Sequence, residues 1–531
     1  MKNIDLLVQV LEKTGVRWVF GVPSGPVLPL IEALRNSPVD YVLTASETSA
    51  GFMAATIGGL TGVPGVCVST LGPGATNLAT GVGCAWLDRS PLIAITCNVA
   101  TYWIQRRTQM RIDHHCLFRP LTKASYSLRS GQMGHLLAEA ISLAGAEPPG
   151  PVHLDLPEDV CSAEATEAPE ANGTRTKLPD ISEETFQHVS AALRRSRKPL
   201  VVIGLTFTRC EAGRNLLQFI EKQNLPFVST LHAKGFLPES HPGYLGVLGR
   251  ARRTNVQAII RKADLIISLG YDPIEINYEE WVGDTPVVHL SMESAEVAPG
   301  VKMQVNQAGD LDQMIEKINE IPPLPNDWSA AEWDVHRRNL EKSLRPDCKG
   351  LGLHHVLDIL RERLPQDGIL SYDVGAHTHQ IATQWRTDIP RTCLATNGWS
   401  SMGYGMPAAY AAKLVHPDRV VVGVVGDGCF QMTVGELAMA RRLGLAVPII
   451  VLNDGWLGLI KVKQERKGYG YSGVYLGDPP DSPSHYFGVP CRAARDAGGL
   501  SDAIDWGFSL NGPSVIEAFI DVGPYSDTVY D

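Results

Sequence analysis

The chain is predicted to be an α/β protein built from doubly wound domains with mostly parallel sheets. Apolar runs rich in β-branched residues recur along it, each closed by a glycine-rich turn and followed by a stretch of helical spacing, the pattern of buried parallel strands joined by crossover helices. The clearest run, residues 420–425, ends in Gly426-Asp427-Gly428 and is followed by a second run at 447–453, which together read as one βαβ unit. At 531 residues the chain is too long for one ordinary domain, so two or three are expected.

In chain order, residues 4–14 place Leu6, Leu7, Val10 and Leu11 at helical spacing, and Trp18-Val19-Phe20 is a short strand entering a tight turn at 21–26. A helix follows at 28–34 and a second strand at 40–44. Glu47 opens an Ala- and Gly-rich helix; a first-turn acid also suits the helix dipole, so by itself it has a structural explanation as good as a functional one. A third strand at 66–70 turns through Leu71-Gly72-Pro73-Gly74-Ala75-Thr76-Asn77 into another helix, by a loop whose glycines permit either close packing or ligand contact. The fourth strand is 91–96.

Residues 162–183 are polar and proline-containing and read as a linker. A second α/β unit runs from Pro199 through the apolar run 263–270 to about Glu320. Ile321-Pro322-Pro323-Leu324-Pro325 starts another linker, a helical stretch at 333–344 is expected on an outer surface, and a third unit opens near Leu353. There Ile369-Leu370-Ser371-Tyr372-Asp373 is a strand, with a turn at Val374-Gly375-Ala376-His377. His377-x-His379 has no third metal ligand at suitable spacing, and the pairs His114-His115 and His354-His355 are poorer metal motifs still.

In the βαβ unit, Thr433-Val434-Gly435-Glu436 fits a capping box, with Leu437, Ala440 and Leu443 on one helical face and Gly444 as a stop. The crossover brings Asp427 and Asp454 to one sheet edge, where two carboxylates form a hard-oxygen site for Mg²⁺ carrying a diphosphate. A dinucleotide fold fits less well: position 431 is Gln where a third glycine belongs, and an acid between the first two would repel a bare pyrophosphate.

The formal net charge of −10 argues against non-specific nucleic-acid binding, no Lys/Arg cluster looks like a phosphate-backbone footprint, and a small-molecule partner is expected. Ten cysteines without a Cys-x-x-Cys, many in apolar runs, suit free thiols in a reducing cytoplasm. No 18-residue apolar run or signal peptide suggests a membrane.

Gly426-Asp427-Gly428 with a strand ending in Asn453-Asp454 is similar to the thiamine diphosphate signature. Together with Val19-Phe20-Gly21-Val22-Pro23, Glu47, the loop 72–77 and Arg119-Pro120-Leu121-Thr122-Lys123, it makes the chain resemble acetolactate synthase and its relatives, among them benzoylformate decarboxylase and oxalyl-CoA decarboxylase. The resemblance implies a thiamine diphosphate-binding fold of three domains: 1–165 for the aminopyrimidine, a Rossmann-like 184–322, and 350–531 for diphosphate and Mg²⁺. It implies a homodimer or homotetramer in which each active site combines two subunits. Asp427, Asp454 and the Trp456 carbonyl would hold Mg²⁺, Asp454 standing where relatives have Asn. Glu47 would hydrogen-bond the pyrimidine N1′, Met402 would bend the cofactor, and the Ser400 carbonyl would accept from its 4′-amino group. Thr70, Asn77, Gly375, Ala376, His377, Gly428 and Cys429 would complete the cofactor contacts.

The implied activity is decarboxylation of a 2-oxo acid with possible ligation to a 2-hydroxy ketone. Departures bear on that choice: Gln109 and Met110 precede Asp113 where acetolactate synthases carry Phe-Gln, and Thr70 replaces a substrate-handling His of benzoylformate decarboxylase. His114 and His115, on a loop that the family points toward the active site, are the local acid/base candidates, with surface histidines as the alternative. Gly270-Tyr271-Asp272-Pro273-Ile274-Glu275 replaces the pattern of flavin-containing synthases, so FAD is not expected. The alternative of another class is a catalytically silent cofactor-binding protein, which would not need Glu47.

Overall fold

In a computed structural model that describes residues 1–168, 178–478 and 481–529, the apolar runs become the strands of three sheets. The first has the order Asp40–Leu43, Trp18–Gly21, Gly65–Ser69, Leu92–Asn98, Pro151–Pro157, Ala124–Ser127, all parallel. The second is Met303–Ala308, Val287–Ser291, Leu265–Leu269, Pro199–Ile203, Phe227–Ser229, Tyr244–Val247, also parallel. The third is Cys393–Leu394, Ile369–Tyr372, Val421–Gly426, Pro448–Asn453, Ser514–Phe519, Val489–Ala494, with the antiparallel edge strand His485–Tyr486. Helices cover both faces, so the central strands are buried along most of their length while edge strands such as Asp40–Leu43 stay partly exposed; Val421, Val422 and Val424 are fully inaccessible.

The first and third units share a core. Ala50, Met53 and Ala54 of the helix Glu47–Thr61 belong to one apolar cluster with Met406, Ala409 and Tyr410 of the helix Gly405–Val415. Phe52 meets Tyr404 edge-on at 5.8 Å, and cutting it back to Ala would cost about 3–5 kcal/mol by the usual cavity penalty. The central unit is tied to the first through Asp272, whose carboxylate accepts from Arg89 Nε at 2.8 Å. Glu275 instead turns inward, accepting from the Leu205 amide at 2.9 Å and pairing with His232.

Four expectations change. The capping box at 433–436 does not form: a helix already starts at Asp427 and runs to Thr433, the next is Glu436–Arg442, and the Thr433 hydroxyl donates back to the Cys429 carbonyl. Ala376 and His377 open the helix Ala376–Gln384 and do not lie in a turn. The helix Ala330–Ser343 is not only a surface wrap, because Trp333 and Leu340 are buried in the core of the central unit. In the expected linker at 162–183, Glu164 bridges to Lys2, and residues 169–177 lie outside the described residues. All ten cysteines are free, and no helix among the described residues is long and apolar enough to cross a membrane.

Candidate active site

Three neighbouring strands of the third sheet, Ile369–Tyr372, Val421–Gly426 and Pro448–Asn453, each run directly into an aspartate at the carboxyl edge. Asp427 and Asp454 come together there. Asp427 Oδ2 accepts from the Gly455 amide at 2.7 Å and the Asp454 amide at 3.3 Å, and Asp454 Oδ1 accepts from the Trp456 amide at 2.8 Å. Burial raises the pKa of both carboxyls, and the Asp427 charge adds to the effect at Asp454, which is pushed up to about 8. Two neighbouring buried carboxylates are a donor set suited to a hard cation. Asp427 borders a cleft of about 210 Å³ also lined by Asn453, Gly455, Leu476, Tyr486 and Glu517.

The third acid, Asp373, shapes the neighbouring loop. Its buried carboxylate accepts from the amides of Gly403 at 2.9 Å and Gly405 at 2.8 Å. From the first unit Asp88 Oδ1 accepts from the amides of Asn397 at 3.1 Å and Gly398 at 2.8 Å, so the loop carrying Ser400 and Met402 is pinned at both ends. Ser400 sits in the left-handed region at φ 49°. Met402 lies beside Gly428: a Cβ added there would stand 3.3 Å from Met402 Cε and 2.7 Å from Leu457. Cys429 turns its thiol to the Val374 carbonyl at 3.1 Å. His377, beside Gly375 and Gly426, is buried with Nε2 unpartnered among the described residues, and burial pushes its pKa down to about 4. An orphaned ring nitrogen, the bare backbone of Gly428 beside Met402 and a pair of buried acids all fit a Mg²⁺-diphosphate group.

A second group of candidate residues lies in the first unit. Ser46 caps the helix Glu47–Thr61 by accepting from the Ser49 amide, and Glu47, its first residue, accepts from Asn77 Nδ2 at 3.1 Å. Gly74 stands between Thr70 and Glu47, since a Cβ there would lie 2.8 Å from Thr70 Cγ2 and 3.3 Å from Glu47 Oε1. The Thr70 hydroxyl is buried without a partner among the described residues. Glu436, freed from the expected capping box, accepts instead from the amides of Ala45 at 3.0 Å and Ser46 at 3.2 Å, and so fixes the entry to the Glu47 helix from the third unit.

His114 and His115 are not on a loop. They form the first turn of the short helix His114–Phe118, with His114 only 2% exposed. The Gly72 amide donates to His114 Nε2 at 3.3 Å, which leaves the proton on Nδ1, 2.8 Å from Asp155 Oδ1. Asn98 Nδ2 donates to both Asp155 oxygens, and the Thr96 hydroxyl touches Asp155, His114 and His153. His115 spends Nδ1 on Ser125 and Nε2 on Ser127, both on the edge strand. His114 therefore holds the Gly72 turn, where φ is 62° and a Cβ would lie 2.2 Å from the Met110 carbonyl, so that only glycine fits. His114→Ala, which leaves Asp155 and the Gly72 amide underbonded, is expected to lower stability by about 1–3 kcal/mol in denaturant titrations and to weaken cofactor binding. His115→Ala is expected to match the parent in rate, products and pH profile.

Sequence reasoning missed Asp373, Asp88 and Asp155, and gave Glu436 a local capping role in place of its bonds to Ala45 and Ser46. Only Asp373 carried a signal: like Asp427 and Asp454, it is the first acid beyond an apolar strand.

Comparison with known proteins matches residues 1–117 to "Thiamine pyrophosphate enzyme, N-terminal TPP binding domain", 186–318 to the central domain and 373–518 to the C-terminal TPP binding domain of the same enzymes. The acetolactate synthase isozyme 1 large subunit of Escherichia coli (strain K12) is 31% identical over 486 residues, covering 90% of this chain and 85% of the relative. The acetolactate synthase large subunit of Lactococcus lactis subsp. lactis (strain IL1403) is 31% identical over 476 residues, covering 87% and 82%. A probable acetolactate synthase large subunit of Methanocaldococcus jannaschii is 28% identical over 546 residues, covering 98% and 92%. With three family domains in order on three parallel sheets, this chain belongs to the thiamine pyrophosphate-dependent enzymes of the acetolactate synthase superfamily.

Proposed function

We propose that the chain catalyses thiamine diphosphate- and Mg²⁺-dependent decarboxylation of a small 2-oxo acid, with ligation of the retained fragment to a second carbonyl compound as an acetolactate synthase-like outcome. The observation that carries this reading is Glu47, a carboxyl 9% exposed at the head of its helix with an amide, Asn77, as its hydrogen-bond partner. A silent binding protein has no use for the cost of burying an acid there.

Asp427, Asp454 and the Trp456 carbonyl would hold Mg²⁺, and His377 with the backbone of Gly375, Ala376, Gly428 and Cys429 would face the diphosphate. Donation to phosphate requires a proton on His377 Nε2, which an adjacent anion favours. Met402 and the Ser400 carbonyl would set the bend between the rings, with Thr70 and Asn77 on the pyrimidine side. The bound cofactor supplies a nucleophilic carbon that adds to the 2-oxo carbonyl and takes up the electron pair released with CO₂. Glu47 holds and returns a proton at N1′, and Asn77 keeps its carboxyl oriented. Neither decarboxylation nor ligation is a net redox reaction, so the proposal requires no flavin. The free thiols suit a cytoplasmic setting.

The site is proposed to form between subunits of a homodimer or homotetramer, an isologous pairing that makes two equivalent sites from one interface. Exposed apolar side chains near the third-sheet edge, including Met432 at 62% and Tyr475 at 50% exposure, support burial against a second copy. Light scattering is expected to give a dimer or larger; an active monomer would contradict it.

The test of function is to supply thiamine diphosphate, Mg²⁺ and a panel of 2-oxo acids, with and without a second carbonyl compound, and to measure CO₂ and product chirality. CO₂ release with a chiral 2-hydroxy ketone supports ligation, and CO₂ with aldehyde alone supports simple decarboxylation. Cofactor binding with neither product would favour the silent protein.

A further inference from the structure

Away from the active site, one stretch gathers borderline metal ligands. Cys348 lies between the helices Ala330–Ser343 and Leu353–Arg363, and His354 and His355 occupy the first turn of the second. One donor atom from each lies within 4.8 Å of the others, and Cys348 Sγ is 3.8 Å from His355 Nδ1. A tetrahedral Zn²⁺ keeps such atoms roughly 3.4–3.8 Å apart, so small side-chain rotations close the set.

The space between them exists because residue 352 is glycine: a Cβ there would stand 2.8 Å from Cys348 Sγ and 2.9 Å from His354 Nδ1. His354 is 6% exposed, and its Nδ1 is buried with no hydrogen-bond partner among the described residues. A buried lone pair left unused points to a missing partner. His355 Nδ1 takes the Gly352 amide at 3.0 Å, and the Cys348 thiol donates to the Gly350 carbonyl at 3.4 Å; an ion would replace both bonds. Asp347, Asp358 and Asp521 surround the cluster with negative charge, opposed by Arg345. The helix N-terminus disfavours a cation but favours the thiolate that would bind it. The other histidine cluster, His114, His153 and Asp155, offers no such space, because the Thr96 hydroxyl lies 2.8–3.1 Å from all three.

We propose that Cys348, His354 and His355 bind one borderline divalent cation, Zn²⁺ by the nature of the ligands, with water at the fourth position, clamping the interdomain connection to the helix Leu353–Arg363. The site is separate from the hard-oxygen pair Asp427 and Asp454.

The test uses untagged full-length protein, stripped with a chelator and reloaded with Mg²⁺ and thiamine diphosphate, then titrated with Co²⁺. About one equivalent is expected to give tetrahedral ligand-field bands and a thiolate charge-transfer band, both removed by Zn²⁺. Cys348→Ser should abolish the charge-transfer band while turnover is retained, and His354→Ala should weaken Co²⁺ binding about tenfold or more. Gly352→Ala, at an extended φ of −93° that alanine accepts, should fill the space and lose both bands without removing a ligand. Absence of the charge-transfer band in the parent, or its survival in Cys348→Ser, would overturn the proposal.

Discussion

Asp427→Ala is expected to abolish measurable thiamine diphosphate binding in the presence of Mg²⁺ while the chain stays folded. The change removes a proposed metal ligand outright, so the loss should exceed the roughly 10–100-fold that follows removal of an outer-shell partner. It also frees the Gly428 and Gly455 amides, each bound at 2.7 Å, for a cost of about 1–3 kcal/mol per unsatisfied donor. A chain with five extensive apolar clusters among its described residues should tolerate that, with a lowered melting temperature and an unchanged circular dichroism spectrum. Protons give a second readout. Both acids are raised, Asp454 to about 8, so the metal-free folded state binds more protons than the unfolded chain between the ordinary carboxylate pKa and that value. The pair therefore costs stability as pH rises through that window, and a bound cation that lowers both pKa values restores it. Mg²⁺ binding should release protons near neutral pH and tighten as pH rises, and Asp427→Ala should lose both effects. Calorimetry that finds parental cofactor affinity in Asp427→Ala would remove the acid pair from the site.

What was legible in the sequence follows from the range of the interactions. Parallel strands buried on both faces must be apolar throughout, so residues 421–425 and 448–452 could be read without knowing their neighbours, and the short crossover then placed Asp427 beside Asp454. Glu436 shows the limit. Its spacing from Thr433 satisfies a local capping rule, but the amides it binds belong to Ala45 and Ser46, some 390 positions away. His114 is similar: the pair His114-His115 was visible, whereas the partners that decide its role, Gly72 and Asp155, lie 42 and 41 positions distant on different elements. Asp373 reaches 30 and 32 positions along the chain to hold Gly403 and Gly405. Residue type announces a chemical capacity; the fold decides which amide or ring that capacity serves. Cys348 with His354 and His355 is the converse case, where short spacing looked uninformative until the fold gathered the donor atoms around the bare backbone of Gly352.

Glu47→Gln is expected to keep the fold and thiamine diphosphate binding yet lose about two or more powers of ten in exchange of the cofactor C2 proton, within the usual range for acid/base assistance. Glutamine preserves the volume beside Gly74 and can still meet Asn77, so the packing around the first turn is undisturbed. It cannot pass a proton to N1′ and take it back. If the carboxyl served only the helix, the loss of one charge near an N-terminus would cost no more than about 1 kcal/mol of stability and nothing in exchange rate. The two roles therefore separate cleanly. Quenched-flow exchange into D₂O followed by NMR reads the proton directly, and a denaturant titration reads the helix. A stably folded Glu47→Gln that binds cofactor and exchanges C2–H at the parental rate would leave Glu47 as an ordinary first-turn acid. The reading would then pass to the silent binding protein, for which the proposed cofactor contacts at Asn77, Met402 and the acid pair would suffice without a proton-returning carboxyl.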